Sequence, residues 1–152
     1  MKTQAEIQTA PTETLAVLSI SPNDDDHSSL KSIIGHSKWT LVTAHNLFTA
    51  RASLLQQQDI SVVVCESDLM PGSWIDILRH LQSMQQPPSL IVTSRLADDR
   101  LWSDVLHRGG WDVLAKPFVP GEVLHSVKLA WDHWRHQTRL PAFELSVIKE
   151  AS

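Results

Sequence analysis

The chain has 152 residues, a formal net charge of −4, 8 prolines, 5 glycines and one cysteine, Cys65. That length suits a single domain burying about two-thirds of its unfolded surface, and the acidic balance without a basic stripe argues against a nucleic-acid partner. No apolar run approaches the roughly 20 residues of a membrane span, the first ten residues lack the pattern of a signal peptide, and a lone cysteine precludes an internal disulfide and fits a reducing compartment. The expectation is a cytoplasmic protein with no membrane or nucleic-acid partner.

Residues 1–13 show no periodicity and read as a flexible N-terminal arm. Leu15 to Ile20 reads as a first buried strand, ended by Ser21, Pro22 and Asn23. Asp24, Asp25 and Asp26 then occupy the cap and first turn of a helix, where the macrodipole favours negative charge, with Leu30, Ile33 and Ile34 inward. Trp39 to Ala44 is a second strand, and Asn46 caps a helix whose inner face is read as Leu47, Ala50, Leu54 and Leu55. The apolar run from Val62 to Cys65 predicts a central strand buried on both faces, which places Glu66, Ser67 and Asp68 at its carboxyl end before the Pro71-Gly72 turn.

A third helix follows, with Ile75, Leu78 and Leu81 inward, and it ends before Pro87-Pro88. Leu90 to Thr93 is the fourth strand; Asp98 and Asp99 open a fourth helix that Gly109-Gly110 closes. Asp112 to Ala115 is a short fifth strand, and the last helix, about 121–138, presents Leu124, Val127, Trp131 and Trp134 along one stripe. Residues 14–139 thus form one α/β domain, and 140–152 is a tail too short to fold as an output domain. Strands alternating with helices imply a parallel sheet covered on both faces, with any ligand site at the strands' carboxyl ends.

The residues at those strand ends resemble the receiver domains of bacterial response regulators (CheY-like). Met70-Pro71, Thr93, Gly109 and Lys116-Pro117 stand at the family's spacing. The resemblance implies a flavodoxin-like (βα)5 fold with strand order 2-1-3-4-5. It also implies a switch hydroxyl at Thr93, a phosphate-contacting ammonium at Lys116, and a cis bond before Pro117. Counting back four from Pro71, the phosphoacceptor position falls on Ser67. The acidic pair that holds Mg²⁺ in the family falls on Ser21 and Pro22, and the aromatic switch position on Val113.

These departures matter chemically. Mg²⁺ is a hard cation that usually takes one or two carboxylates, and aspartyl phosphorylation needs an ionised carboxylate nucleophile beside the metal. Serine and proline supply neither. The reading is a degenerate member, a pseudo-receiver without cofactor or catalytic residues, whose Lys116 pairs with Glu66 or Asp68 in the vacated pocket. Two alternatives stay open: a phosphorylation-competent receiver using Asp68 and Mg²⁺, with Asp24 or Asp25 as metal ligands, and a flavodoxin-like module holding a small anion through Thr93 and Lys116. His133 and His136 have ligand spacing but no third ligand in the sequence.

Six tryptophans and no tyrosine are unusual for this length. Trp102, Trp111, Trp131 and Trp134 all fall in the half from the fourth helix to the fifth, and aromatic residues favour interfaces. They are the candidate contact surface for a sensor kinase, an effector, or a homodimer through the face formed by helix 4, strand 5 and helix 5.

Overall fold

Alternating apolar strands and amphipathic helices assemble, in a computed structural model that describes residues 14–139, into five βα units. They are β1 (Ala16–Ile20), α1 (Asp24–Ile34), β2 (Thr40–Ala44), α2 (Leu47–Gln56), β3 (Ile60–Glu66), α3 (Trp74–Gln82), β4 (Ser89–Ser94), α4 (Asp99–Arg108), β5 (Asp112–Ala115) and α5 (Pro120–Arg139). All strands pair in parallel in the order β2-β1-β3-β4-β5. This is the flavodoxin-like α/β fold read from the sequence. The arm at 1–13 and the tail at 140–152 lie outside the described residues.

The period-2 pleat splits the core in two. Leu18, Ile20, Val63 and Cys65 face one layer with Ala50, Leu54, Ile77 and Leu81, while Val17, Val62, Val64 and Ile91 face the other with Leu30, Ile34, Val123 and Val127. Every residue of β3 is buried, as its unbroken apolar run requires of a strand flanked by both layers. Burial pushes the Cys65 thiol up, and the neighbouring Glu66 charge adds to the effect; this cysteine is a packed apolar group rather than a nucleophile.

Local chemistry sets the helix ends. Asn46 and Thr49 form a reciprocal capping box on α2, as Ser73 and Asp76 do on α3. Asp98 caps α4 by accepting from the Leu101 N–H. Gly109 ends α4 in the left-handed region at φ 106°, and an added Cβ would come within 2.9 Å of Gln82 Nε2.

Two helix faces differ from their sequence reading. Leu55 is 75% exposed rather than inward, and α2 rests on Ala50 and Leu54 with Leu47 packed half-buried beside them. On α5 the buried stripe is Val123, Ser126, Val127 and Ala130. Of the predicted line of Leu124, Val127, Trp131 and Trp134, Val127 is fully buried, Trp131 packs half-buried against the same core, and Leu124 and Trp134 are half-buried. Small side chains let the helix approach the sheet closely, and the large ones are displaced to the flanks. The third helix also buries Trp74 and Ile77, which the spacing of Ile75, Leu78 and Leu81 did not single out.

Leu18→Ala, at a site 0% exposed, is expected to cost about 2–5 kcal/mol through lost burial and a residual cavity. Leu55→Ala is expected to stay within about 0.5 kcal/mol. Urea denaturation midpoints of the two variants measure the difference.

Candidate functional site

The carboxyl ends of β1, β3 and β4 meet the loop after β5, and the side chains there converge on Lys116. This lysine precedes Pro117 through a cis peptide bond, as the resemblance implied; Met70-Pro71 is also cis. The Lys116 side chain is only 9% exposed. Its ammonium lies 2.9 Å from Asp26 Oδ2 and contacts Glu66 Oε1. Both carboxylates are nearly sealed as well, at 13% and 6% side-chain exposure.

Each acid is further fixed by its neighbours. Ser21 Oγ donates to Asp26 Oδ2 at 2.7 Å, and Ser21 Oγ accepts the Asn23 N–H at 3.0 Å. Glu66 Oε2 accepts the Ser67 hydroxyl at 3.1 Å and the Asp68 N–H at 2.8 Å. The Ser67 N–H continues the sheet by donating to the Thr93 carbonyl at 2.8 Å. Two acids and one base leave the cluster with a formal charge of −1.

The electrostatics follow from this enclosure. Burial opposes the charged form of Lys116, but hydrogen bonds and attraction from Glu66 and Asp26 outweigh it, and the net shift raises the pKa above its ordinary value. The lysine therefore remains an ammonium throughout the neutral range. Two clefts open beside it. One, of about 780 Å³, runs between α1 and the loop before α5 past Asp25, Ser29 and Phe118; the other, of about 580 Å³, passes Asn23, Asp68, Ser94 and Leu96. Arg95 lines both.

Several sequence assignments change here. The carboxylate filling the pocket is Glu66, one residue before the Ser67 reached by counting back from Pro71. The pleat explains it: Glu66 shares a face with Val62 and Val64, the layer that packs on α1 and α5, whereas Ser67 is half a pleat further on. Asp68 is exposed on the cleft rim and forms no ion pair with Lys116, so the lysine's partners are Glu66 and Asp26 rather than Asp68. Asp26, read as part of a solvated helix start, turns inward, while Asp24 and Asp25 stay exposed. Of the degenerate acidic-pair positions, Ser21 is buried and holds Asp26, and Pro22 is an exposed turn residue.

Thr93 is 2% exposed at the end of β4, and Val113 is half-buried where a switch ring was sought. Sequence reasoning missed Asp26, and the signal that finds it is helical: Asp26 is the third residue of α1, and its side chain returns to Ser21 across the first turn. His27 was also missed. It is buried, with Nδ1 2.9 Å from Ser19 Oγ and Nε2 2.9 Å from the Ser21 carbonyl.

The donors around Lys116 do not make a Mg²⁺ site. Both Glu66 oxygens and Asp26 Oδ2 are already committed to the ammonium and to Ser21, Ser67 and Asp68. A divalent ion sharing these oxygens would stand against a fixed positive charge, and the carboxylate oxygens left to it are Asp26 Oδ1 and those of the exposed Asp25 and Asp68 on the cleft rims.

The tryptophans divide by environment. Trp102 is 50% exposed on α4. Trp111 stacks on His133 at 4.8 Å between ring centroids, and Trp131 lies under the Arg135 guanidinium at 4.2 Å. Trp134 is half-buried, with its indole N–H enclosed and lacking a hydrogen-bond partner. Leu96 and Val119, at 80% and 50% exposure, add apolar surface to this half of the molecule. His136 is exposed like His133, and neither belongs to a cluster of metal-binding groups among the described residues.

No protein-family model matches the chain, and no curated protein sequence does. Solved structures do match. A response regulator receiver domain protein from Clostridium thermocellum superposes with a TM-score of 0.74 at 16% identity, covering 81% of this chain and 98% of that one. The signal receiver domain of an HD domain-containing protein from Pseudomonas fluorescens gives 0.73 at 18% identity, covering 82% and 93%. The beryllofluoride-activated NtrC4 receiver domain, a dimer, gives 0.72 at 19%, covering 78% and 98%. The fold is that of response-regulator receiver domains.

Lys116→Met removes the cation that pairs with the buried Glu66 and the half-buried Asp26 and is expected to cost about 3–5 kcal/mol at pH 7. Because the folded pKa of Lys116 is raised, its contribution is complete below the unfolded lysine value of about 10.4 and fades only as pH rises through the folded value. Urea midpoints of wild type and variant should therefore differ by a constant amount across neutral pH and converge in strong alkali. Equal stability at pH 7 would contradict the pairing.

Proposed function

We propose that the chain is a pseudo-receiver of the two-component, phosphorelay signalling type. It acts by binding other proteins and catalyses no reaction. One observation carries this reading: the Lys116 ammonium is already neutralised by Glu66 and Asp26 of the same chain. The resemblance implies that this ammonium contacts a phosphoryl group; here its contacts are two carboxylates of the chain itself.

The nucleophile is also unsuited. Glu66 is 5% exposed and its oxygens are engaged, so no phosphoryl donor has an in-line approach. The Ser67 hydroxyl is taken up as a donor to Glu66 Oε2, and no histidine stands beside it in sequence to act as a base. Asp68 carries a free carboxylate at the rim but stands apart from the cation.

Signalling then rests on shape. The partner would be a sensor kinase, an effector or a second copy, meeting the half of the surface that bears Trp102, Leu96 and Val119, in the region of α4, β5 and α5. That one receiver domain of this fold is a dimer in its solved structure supports a self-associating version. A cytoplasmic location accords with a single, buried thiol. Among the described residues no helix is long and apolar enough to cross a membrane.

Incubation with acetyl phosphate and Mg²⁺, followed by intact mass measurement, is expected to show no added phosphate. An adduct that Asp68→Ala abolishes would replace this reading with that of a phosphorylation-competent receiver.

A further inference from the structure

A second cluster of chemistry-bearing side chains lies at the same end of the sheet. Asp24 and His27 are one turn apart on α1, and His45 follows β2 immediately. Their candidate ligand atoms all lie within 4.8 Å of one another. His45 Nε2 is 2.8 Å from Asp24 Oδ1, and the two imidazoles meet edge to face at 5.1 Å between centroids. As an ion pair the His45–Asp24 contact explains little, because its side chains are 55% and 85% exposed and such pairs contribute about 0–1 kcal/mol.

We propose that Asp24, His27 and His45 form a binding site for a borderline divalent transition metal, Zn²⁺ being the representative ion. Two imidazoles and one carboxylate select such ions over the hard cations Mg²⁺ and Ca²⁺. Three protein ligands with water in the fourth position complete a tetrahedron. Bonds of about 2.0–2.2 Å place tetrahedral donors about 3.3–3.6 Å apart. The present spread closes to that by rotation of the two exposed side chains, Asp24 and His45, about the fixed ring of His27.

Both ring nitrogens of His27 are hydrogen-bonded, to Ser19 Oγ and to the Ser21 carbonyl. Ligation releases one of these bonds, and the other becomes the outer hydrogen bond that a ligating histidine ordinarily keeps. Ser19 serves either tautomer, because a hydroxyl both donates and accepts. If Nε2 takes the metal, Nδ1–H is donated to Ser19; if Nδ1 takes it, Nε2–H stays on Ser21. Ser21 also holds Asp26 in the lysine cluster, so metal occupancy would bear on that cluster through one shared residue and the first turn of α1. The site is separate from the Lys116 pocket and stands or falls independently of the pseudo-receiver reading.

Calorimetric titration of the purified chain with ZnCl₂ tests it, with MgCl₂ as the comparison ion. One equivalent of Zn²⁺ is expected to bind, with no matching Mg²⁺ signal. His45→Ala and Asp24→Asn, both at exposed positions that leave the fold intact, should each weaken binding about tenfold or more. They should also abolish the Zn²⁺-dependent rise in melting temperature. The double variant His133→Ala/His136→Ala should bind as wild type does. The proposal is overturned if wild type binds no Zn²⁺, if His45→Ala binds like wild type, or if binding follows His133 and His136 instead.

Discussion

Lys116 carries a full positive charge into a largely buried position between two clefts, 90 residues along the chain from Asp26. A buried ammonium is tolerated only when paired and hydrogen-bonded. Its partners come from the first turn of α1 and the last residue of β3, so its pairing ties β1, β3 and β5 together at their carboxyl ends. Asp26 in turn needs Ser21, and Glu66 needs the Ser67 hydroxyl and the Asp68 N–H. This one cation joins side chains from three strand ends that backbone hydrogen bonds such as Ser67 N–H to the Thr93 carbonyl already hold in register.

The same constraint decides what the crevice can do. Open α/β sheets bind ligands where strand order reverses, at the carboxyl ends, and here β1 and β3 flank that reversal. In this chain the crevice floor is filled from within. Glutamate is one methylene longer than aspartate, and Glu66 spans from the strand end to Lys116 without a bridging group. What remains open are the two clefts on either side of the lysine, lined by Ser29 and Phe118 or by Ser94 and Leu96 and shared by Arg95.

Much of the fold was legible because it rests on period and punctuation. The Val62 to Cys65 run, the Gly109-Gly110 stop and the Lys116-Pro117 dipeptide each act locally, so their meaning survives without coordinates. Face assignments on α2 and α5 were less legible. An α-helix gives 100° per residue, and the line of Leu124, Val127, Trp131 and Trp134 shares Val127 with the buried line of Val123, Val127 and Ala130, so the pattern alone does not separate them until the closeness of the sheet selects the small side chains. At the site, Lys116, Glu66 and Thr93 were readable from strand ends. Asp26 was not, since three consecutive aspartates at a helix start look equivalent in sequence, and only the turn geometry sends one of them inward. Glu66 and Asp68 were both read as partners for Lys116, and the end of β3 decides between them: Glu66 closes the strand and meets the lysine, while Asp68 in the loop beyond stays on the rim.

If Lys116 is satisfied internally, a phosphoryl mimic has nothing to bind. The most direct measurement is a pair of ¹H–¹⁵N correlation spectra of the labelled chain, recorded without and with Mg²⁺ and beryllofluoride. The amides of Glu66, Ser67, Asp68, Thr93 and Lys116 should keep their positions. Saturating shifts at those five amides would mean that the crevice accepts metal and phosphoryl together, and that the internal neutralisation of Lys116 is not what governs this protein.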